Sequence, residues 1–243
     1  MKKIISFLSD GFILKGVIHI PNKKNPPVVI GSHGLSSSSN SPKQIELAQL
    51  CNENGIAFFR FDHRGCGESE GIFEKDTSLQ GRCNDIINAV DVLQKEGLSN
   101  KIGFFGSSMG GAVCILAASK LNISPIVTLA APIRSEQIVE KLKQSEEGKN
   151  LIPDFYSNAL KFDISDRISN LKEILMFHGE HDEVVPCENA LEIYNKAKKP
   201  KKIIIFEKGD HVISNIEQQR RFIDETINWF KTFLLKSQNL SSH

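Results

Sequence analysis

Hydrophobic and polar positions along this chain alternate between short apolar runs and longer amphipathic stretches. Residues 4–8 and 12–20 are two apolar runs around Ser9-Asp10-Gly11, a turn signal, and predict an opening hairpin. Residues 21–27 are polar and proline-rich, which predicts a loop. "PPVVIGSHG" is an apolar run ending in glycine, as suits a strand buried on both faces. A helical period follows over about 43–54. The pattern then repeats, with "IAFFRF" as a strand, "DHRGCGESEG" as a glycine-rich loop and 79–96 as a helix. "KIGFFGS" is the next strand, "MGGAVCILAASK" a nearly all-apolar helix, and "SPIVTLAAP" a further strand. Over about 133–169 the rhythm breaks into one or two charged, amphipathic helices that belong to no βα unit. It resumes with the strand "EILMFHG", a helix over 187–198, the strand "KKIIIFE" and a last helix over 213–236. In that last helix Ile216, Ile223, Ile227, Phe230 and Leu234 recur at helical spacing. The polar tail "SQNLSSH" is expected to fray.

Strands alternating with helices at this spacing imply a mostly parallel, twisted sheet covered by helices on both faces. There is no internal repeat and no long linker. One α/β domain over 1–243, with a short helical cap inserted at about 133–169, accounts for the whole pattern.

Composition narrows the function classes. The 30 basic and 29 acidic side chains give a formal charge of +1 and are mixed along the chain. Such balance gives no reason to expect nucleic acid or an anionic membrane as a partner. No stretch reaches the ~18 apolar residues of a membrane span. The first apolar run is too short for a signal peptide and is interrupted at Ser9-Asp10-Gly11. The five cysteines are odd in number and form no CxxC pair, which suits free thiols in a reducing compartment. A soluble, cytoplasmic protein is expected.

Gly106-Ser107-Ser108-Met109-Gly110 fits G-x-S-x-G between a strand and a helix. A sharp strand-to-helix turn presents the middle serine, Ser108, as a nucleophile. Small residues two before and two after it leave the turn room. A plain glycine-rich turn explains the five residues equally well, so the rest of the chain has to decide. A serine needs a base. His211, in "KGDHVIS", follows a strand at the sheet's C-terminal edge, where open α/β sheets place their sites. His63, in "FDHRG", is the second candidate. The base in turn needs an acid. "FHGEHDEVVP" offers Glu180, Asp182 and Glu183, of which Asp182 stands out because "VVP" and the next helix follow it. His178 and His181 beside these carboxylates invite a metal reading. HxxH on a strand and loop does not converge on one face, however, so no metal is expected. Oxyanion donors are the N–H of Met109, after the serine, and that of Leu35, after the turn at Gly34. No G-x-G-x-x-G follows a strand, so no dinucleotide or other cofactor is implied.

The order Ser108, Asp182, His211, each after its own strand, resembles the α/β-hydrolase superfamily. "HGL", "DHRGCGES", "HGEHDEVVP" and "GDHVIS" look like that superfamily's loops, and the likeness covers about 9–233. Within it the chain resembles small capped esterases: cinnamoyl and feruloyl esterases and relatives of monoacylglycerol lipase and the serine aminopeptidase group. The resemblance implies the α/β-hydrolase fold, with Ser108 as nucleophile, His211 as general base and acid, Asp182 orienting it, and Leu35 and Met109 binding the oxyanion. Asp62, Arg64 and Gly67 then look structural, tying down the loop beside the oxyanion hole.

The expected activity is a carboxylesterase acting on small-molecule esters of short, medium or aromatic acyl groups through an acyl-enzyme. Thioesters, amides or peptides need the same first step. An aminopeptidase would also need a carboxylate for the substrate ammonium, for which Glu136, Glu140, Glu146 and Glu147 are candidates. An inactive binding protein on the same scaffold is the alternative of another class. Leu151, Ile152, Phe155, Tyr156, Leu160 and Phe162 form an apolar group in the inserted segment. Part of it is expected to pack the segment onto the sheet. Phe155, Tyr156 and Phe162 are the candidates for lining an acyl pocket.

Overall fold

The computed structural model describes residues 1–98, 101–144, 149 and 151–235, so the tail "SQNLSSH" lies outside the described residues. Eight strands form one sheet: β1 (Lys2–Ser9), β2 (Phe12–His19), β3 (Val28–Ser32), β4 (Ala57–Phe61), β5 (Ile102–Ser107), β6 (Ile126–Leu129), β7 (Ile174–Gly179) and β8 (Lys201–Phe206). Their order is β1-β2-β4-β3-β5-β6-β7-β8. β1 and β2 pair antiparallel as a hairpin, and β2 meets β4 antiparallel. Every later pairing is parallel. β1 alternates between exposed and buried positions, as a strand with one solvated face does. β3, β4, β6 and β7 are buried along their whole length, which is why they read as unbroken apolar runs.

Among the described residues, the α-helices that connect or flank them are α1 (Pro42–Glu53), α2 (Phe73–Asp76), α3 (Leu79–Lys95), α4 (Met109–Leu121), α5 (Glu136–Gln144), α6 (Glu188–Lys196) and α7 (Ile216–Phe230). Successive side chains of a strand point to opposite faces. Ile30, Phe59, Phe104, Ile126 and Met176 therefore join one core with α3 and α4. Val29, Phe58, Phe105, Val127 and Phe177 join a second core with α1 and α7. Helices cover both faces of the sheet, as the alternation of elements implies.

Two segments depart from the expected outline. α7 begins at Ile216 rather than 213, because Asn215 caps it. Asn215 Oδ1 accepts the N–H groups of Glu217 (3.0 Å) and Gln218 (3.1 Å). The helix then widens into a π-helical turn over Lys231–Leu235. In the segment after β6, α5 is followed by a π-helical turn at Phe155–Ala159 and a 3₁₀ turn at Ser165–Arg167. The segment closes on its own base. Ser135 N–H donates to Phe162 O (3.0 Å), Phe162 N–H to Ser135 Oγ (2.9 Å) and Ile164 N–H to Ile133 O (2.9 Å).

Candidate active site

The turn from β5 into α4 is built by close approach. A Cβ on Gly106 would lie 2.2 Å from Gly110 O, and one on Gly110 would lie 2.2 Å from Ser32 O. Only glycine fits either position. Ser108 between them has φ 51° and ψ −127°, a conformation that side chains with a Cβ rarely adopt. Its N–H donates to Leu129 O at 2.7 Å, which ties the strained residue to the next strand. The strain turns the Ser108 side chain out of the sheet at its C-terminal edge.

His211 and Asp182 reach the same edge from the loops after β8 and β7. His211 Nε2 lies 3.1 Å from Ser108 Oγ, and His211 Nδ1 lies 2.8 Å from Asp182 Oδ2. Asp182 Oδ1 accepts the N–H groups of Val184 and Val185, both at 2.8 Å. Those two bonds explain why "VVP" follows the aspartate so closely. A third group, missed in the sequence, also holds it. His178 Nε2 is 2.7 Å from Val185 O and 3.1 Å from Asp182 Oδ2. A carbonyl only accepts, so this nitrogen carries the proton. Burial would raise the Asp182 pKa. Hydrogen bonds from His178 and His211 outweigh burial and hold it well below the ordinary carboxylate range. His178 is fully buried whereas the His181 side chain is 65 % exposed, so the two histidines do not face a common point.

The loop carrying Leu35 is held from inside. A Cβ on Gly34 would sit 3.6 Å from Ser108 Cβ, so this loop runs directly against the serine. Arg82, fully buried in α3, donates to Gly34 O (3.0 Å), Leu35 O (2.9 Å) and Cys66 Sγ (3.2 Å). His33 Nε2 accepts the His63 N–H at 3.1 Å, so its Nδ1 is the donor to Gly34 O at 2.8 Å. Burial keeps His33 neutral by pushing its pKa well down. Arg82 and His33 thus hold the backbone of Gly34 and Leu35 from the side of their carbonyls. The N–H of Met109 leads α4 and, like other first-turn donors, has no intrahelical acceptor. Of the residues expected to be structural, Asp62 accepts the N–H groups of Ser39 (2.7 Å) and Glu68 (3.1 Å). A Cβ on Gly67 would strike Asp62 Oδ2 at 2.1 Å. Arg82 escaped the sequence reading, although its position three after Leu79 and four before Ile86 puts a charge on the apolar face of α3.

His63, the other candidate base, is fully buried and far from solvent. Its Nε2 lies 2.8 Å from Ser32 Oγ and its Nδ1 3.2 Å from Asp85 Oδ2. Arg64 donates to Asp85 through Nε (3.0 Å) and Nη2 (2.7 Å). Burial would raise the Asp85 pKa, but His63 and Arg64 bring it down to about 2. His63 therefore has its own serine and carboxylate and does not reach Ser108.

A cavity of about 520 Å³ opens over Ser108 and His211. Leu35, Phe105, Leu129, Ile138, Val184 and Val212 supply apolar walls, and Lys43 and Lys141 also line it. A smaller space of about 20 Å³ adjoins it between Met109 and α5, and Phe162 lines that one. Phe155 and Tyr156 line neither. Phe155 is buried against Phe73 (centroids 5.3 Å apart) and Tyr156 (5.9 Å), so this pair packs the segment onto α2.

The model of the serine aminopeptidase, S33 family (Hydrolase_4) matches residues 23–167, a stretch that contains Leu35 and Ser108 and ends before Asp182. The uncharacterized protein YfhR of Escherichia coli O157:H7 is 26% identical over 213 residues, covering 84% of this chain and 70% of that protein. The mitochondrial palmitoyl-protein thioesterase ABHD10 of Mus musculus is 26% identical over 215 residues, covering 78% of this chain and 68% of that one. Among solved structures, Est1E from Butyrivibrio proteoclasticus with ferulic acid bound is similar at a TM-score of 0.78 and 22% identity, covering 93% of this chain and 99% of that one. Sheet order, strained elbow and family match agree: the chain belongs to the serine aminopeptidase, S33 family of α/β-hydrolases.

Proposed function

We propose that this protein is a serine esterase that cleaves carboxylic esters of short, medium or aromatic acyl groups through an acyl-enzyme. The observation that carries this reading is the hydrogen-bonded line Ser108–His211–Asp182, 3.1 Å and 2.8 Å long, opening on a cavity. Ser108 Oγ attacks the ester carbonyl carbon while its proton passes to His211 Nε2. Asp182, an anion held at low pKa, keeps His211 Nδ1 protonated and balances the imidazolium. The carbonyl oxygen becomes an oxyanion and accepts the N–H groups of Leu35 and Met109, each worth about 10²–10³ in rate. Collapse expels the alcohol, which takes the proton from His211. Water then repeats the sequence on the acyl-enzyme and releases the acid. None of these steps calls for a metal or cofactor.

A thioester needs the same steps, and the likeness to the thioesterase ABHD10 supports it as a second substrate class. Ferulic acid in Est1E supports aromatic acyl groups. A peptide N-terminus is disfavoured by charge, because among the described residues the cavity is lined by two lysines and no carboxylate. Glu136 lines a separate groove with Arg134 and Glu192. Glu140 lies on α5 away from the cavity lining, and Glu146 and Glu147 lie outside the described residues.

The test joins a fluorophosphonate probe to a chain-length series of p-nitrophenyl esters, with a feruloyl ester and a thioester added. Covalent labelling of Ser108 and an optimum at short, medium or aromatic acyl groups are expected. No labelling of native protein would make it an inactive member of the fold. A clear optimum at long chains would refute the acyl preference.

A further inference from the structure

Two lysines line the cavity over Ser108, and among the described residues neither takes part in an ion pair. Lys43 is half-buried in the first turn of α1, and Lys141 lies on α5. Both line the cavity, and among the described residues no aspartate or glutamate does. Among the described residues neither ammonium lies within 4.0 Å of a carboxylate. Asp210 and Glu46 act on Lys43 only from further away, and Asp210 is taken up by the N–H and hydroxyl of Ser214.

Helix stability does not account for Lys43, although the last turn of α5 suits Lys141. A cation in the first turn of a helix opposes the helix dipole, and α1 has no acidic residue there to offset it. Burial costs Lys43 enough to push its pKa down. On α5, Ile138, Lys141 and Leu142 stand at i, i+3 and i+4, so they share one face, and all three line the cavity. Lys143, two residues on, is used differently, with its ammonium 5.2 Å from the centre of the Tyr156 ring. An apolar floor flanked by two lysines, with no carboxylate among the described lining residues, matches an amphipathic anion.

Building on the reading of Ser108 as nucleophile, we propose that the site selects esters or thioesters whose far end carries an anionic group, a carboxylate or a phosphate, bound by Lys43 and Lys141. A carboxylate would enter on the acyl chain and a phosphate on the leaving group. Both present the same anionic oxygens to the lysines.

Two matched substrate pairs test this on the purified full chain. The first is mono-p-nitrophenyl adipate against its methyl ester. The second is S-hexanoyl phosphopantetheine against S-hexanoyl pantetheine. The expected result is a charged-to-neutral ratio of kcat/KM of about tenfold in at least one pair, with each of Lys43→Met and Lys141→Met lowering it roughly three- to tenfold. Methionine keeps the apolar stem and removes the charge. Lys143→Met, off the cavity, should leave the ratio alone. Raising salt from ~0.02 M to ~0.5 M should compress the ratio in the wild-type protein, a readout that needs no variant. An advantage in the adipate pair puts the anion on the acyl side, and one in the phosphopantetheine pair puts it on the leaving group. Turnover of neutral esters with a ratio near one in both pairs would overturn the anion site and leave the esterase reading standing. Absence of all turnover, with Ser108 unlabelled, would overturn the esterase reading and the anion site with it.

Discussion

In one corner of the sheet Ser108 faces His211 at 3.1 Å, and His211 faces Asp182 at 2.8 Å. Across β3, Ser32 faces His63 at 2.8 Å, and His63 faces Asp85 at 3.2 Å. The two lines use the same residue types, the same ring nitrogens and the same order of contact. Their surroundings differ in every respect that matters to chemistry. Ser108 sits on a strained elbow under a cavity, whereas Ser32 is a fully buried strand residue that lines neither cavity beside Ser108. Asp182 is held by two backbone N–H groups and two histidines, with no arginine against it. Asp85 is bound by the Arg64 guanidinium, which neutralises it. A hydrogen-bonded serine, histidine and aspartate are thus a structural strut when dry. They make a candidate catalyst only where a substrate carbonyl can reach the serine beside free N–H donors.

The sharpest way to break this comparison is to delete each serine. Ser108→Ala should lower kcat/KM for p-nitrophenyl acetate by about 10⁴-fold or more, with the melting temperature nearly unchanged. Ser32→Ala should keep the activity but cost about 1–3 kcal/mol in urea unfolding, because His63 Nε2 loses its buried partner. Equal losses of activity in both variants would erase the distinction. The acids should divide in the same way. Asp182→Asn is expected to reduce kcat about 10⁴-fold by disturbing the His211 tautomer. Asp85→Asn should instead destabilise the fold by about 3–5 kcal/mol, because it leaves Arg64 buried without its main counter-charge.

Arg82 offers a smaller and more informative effect. It does not itself line the cavity but fixes the carbonyls of Gly34 and Leu35, which do. Arg82→Met should lower kcat by roughly ten- to a hundredfold with a lesser change in KM, since the Leu35 N–H would lose its aim. A pure change in KM would mean that the loop serves binding alone.

The gentlest probe is pH. His19, lowered to about 4, and His33 and His63, also lowered, are neutral in the folded protein because burial disfavours their charged forms. The unfolded chain binds those protons first, near 6.5, so stability should fall as pH drops from about 6.5 towards about 4. Asp85 acts lower down. Its folded pKa of about 2 is depressed below the unfolded value, so its contribution is present above about 4 and lost as pH falls through about 2. Urea midpoints across this range should show both declines, and Asp85→Asn should remove part of the lower one, to which Asp182 also contributes.

Much of this was legible in the chain. Periodicity marked the eight strands and most helices, because burial on both faces of a parallel strand leaves an unbroken apolar run. The elbow was legible because Gly106 and Gly110 answer to contacts that admit no side chain. The inserted segment was read less well. Phe155, Tyr156 and Phe162 look alike in sequence, yet only Phe162 lines a space beside Ser108. Phe155 is claimed by Phe73, 82 residues earlier, and no local pattern announces such a partner.

The sequence by itself determined the fold, the elbow and the order in which a serine, an aspartate and a histidine follow their strands. Those features depend on neighbours a few residues apart or on the rhythm of burial. Only the tertiary structure decided that His211 meets Ser108 across 103 positions while His63 turns inward to Ser32. It also decided that Arg82 holds the loop beside the serine, and that two lysines from α1 and α5 face one cavity. Hydrogen bonds and fields act over a few ångströms of space, whatever the distance along the chain.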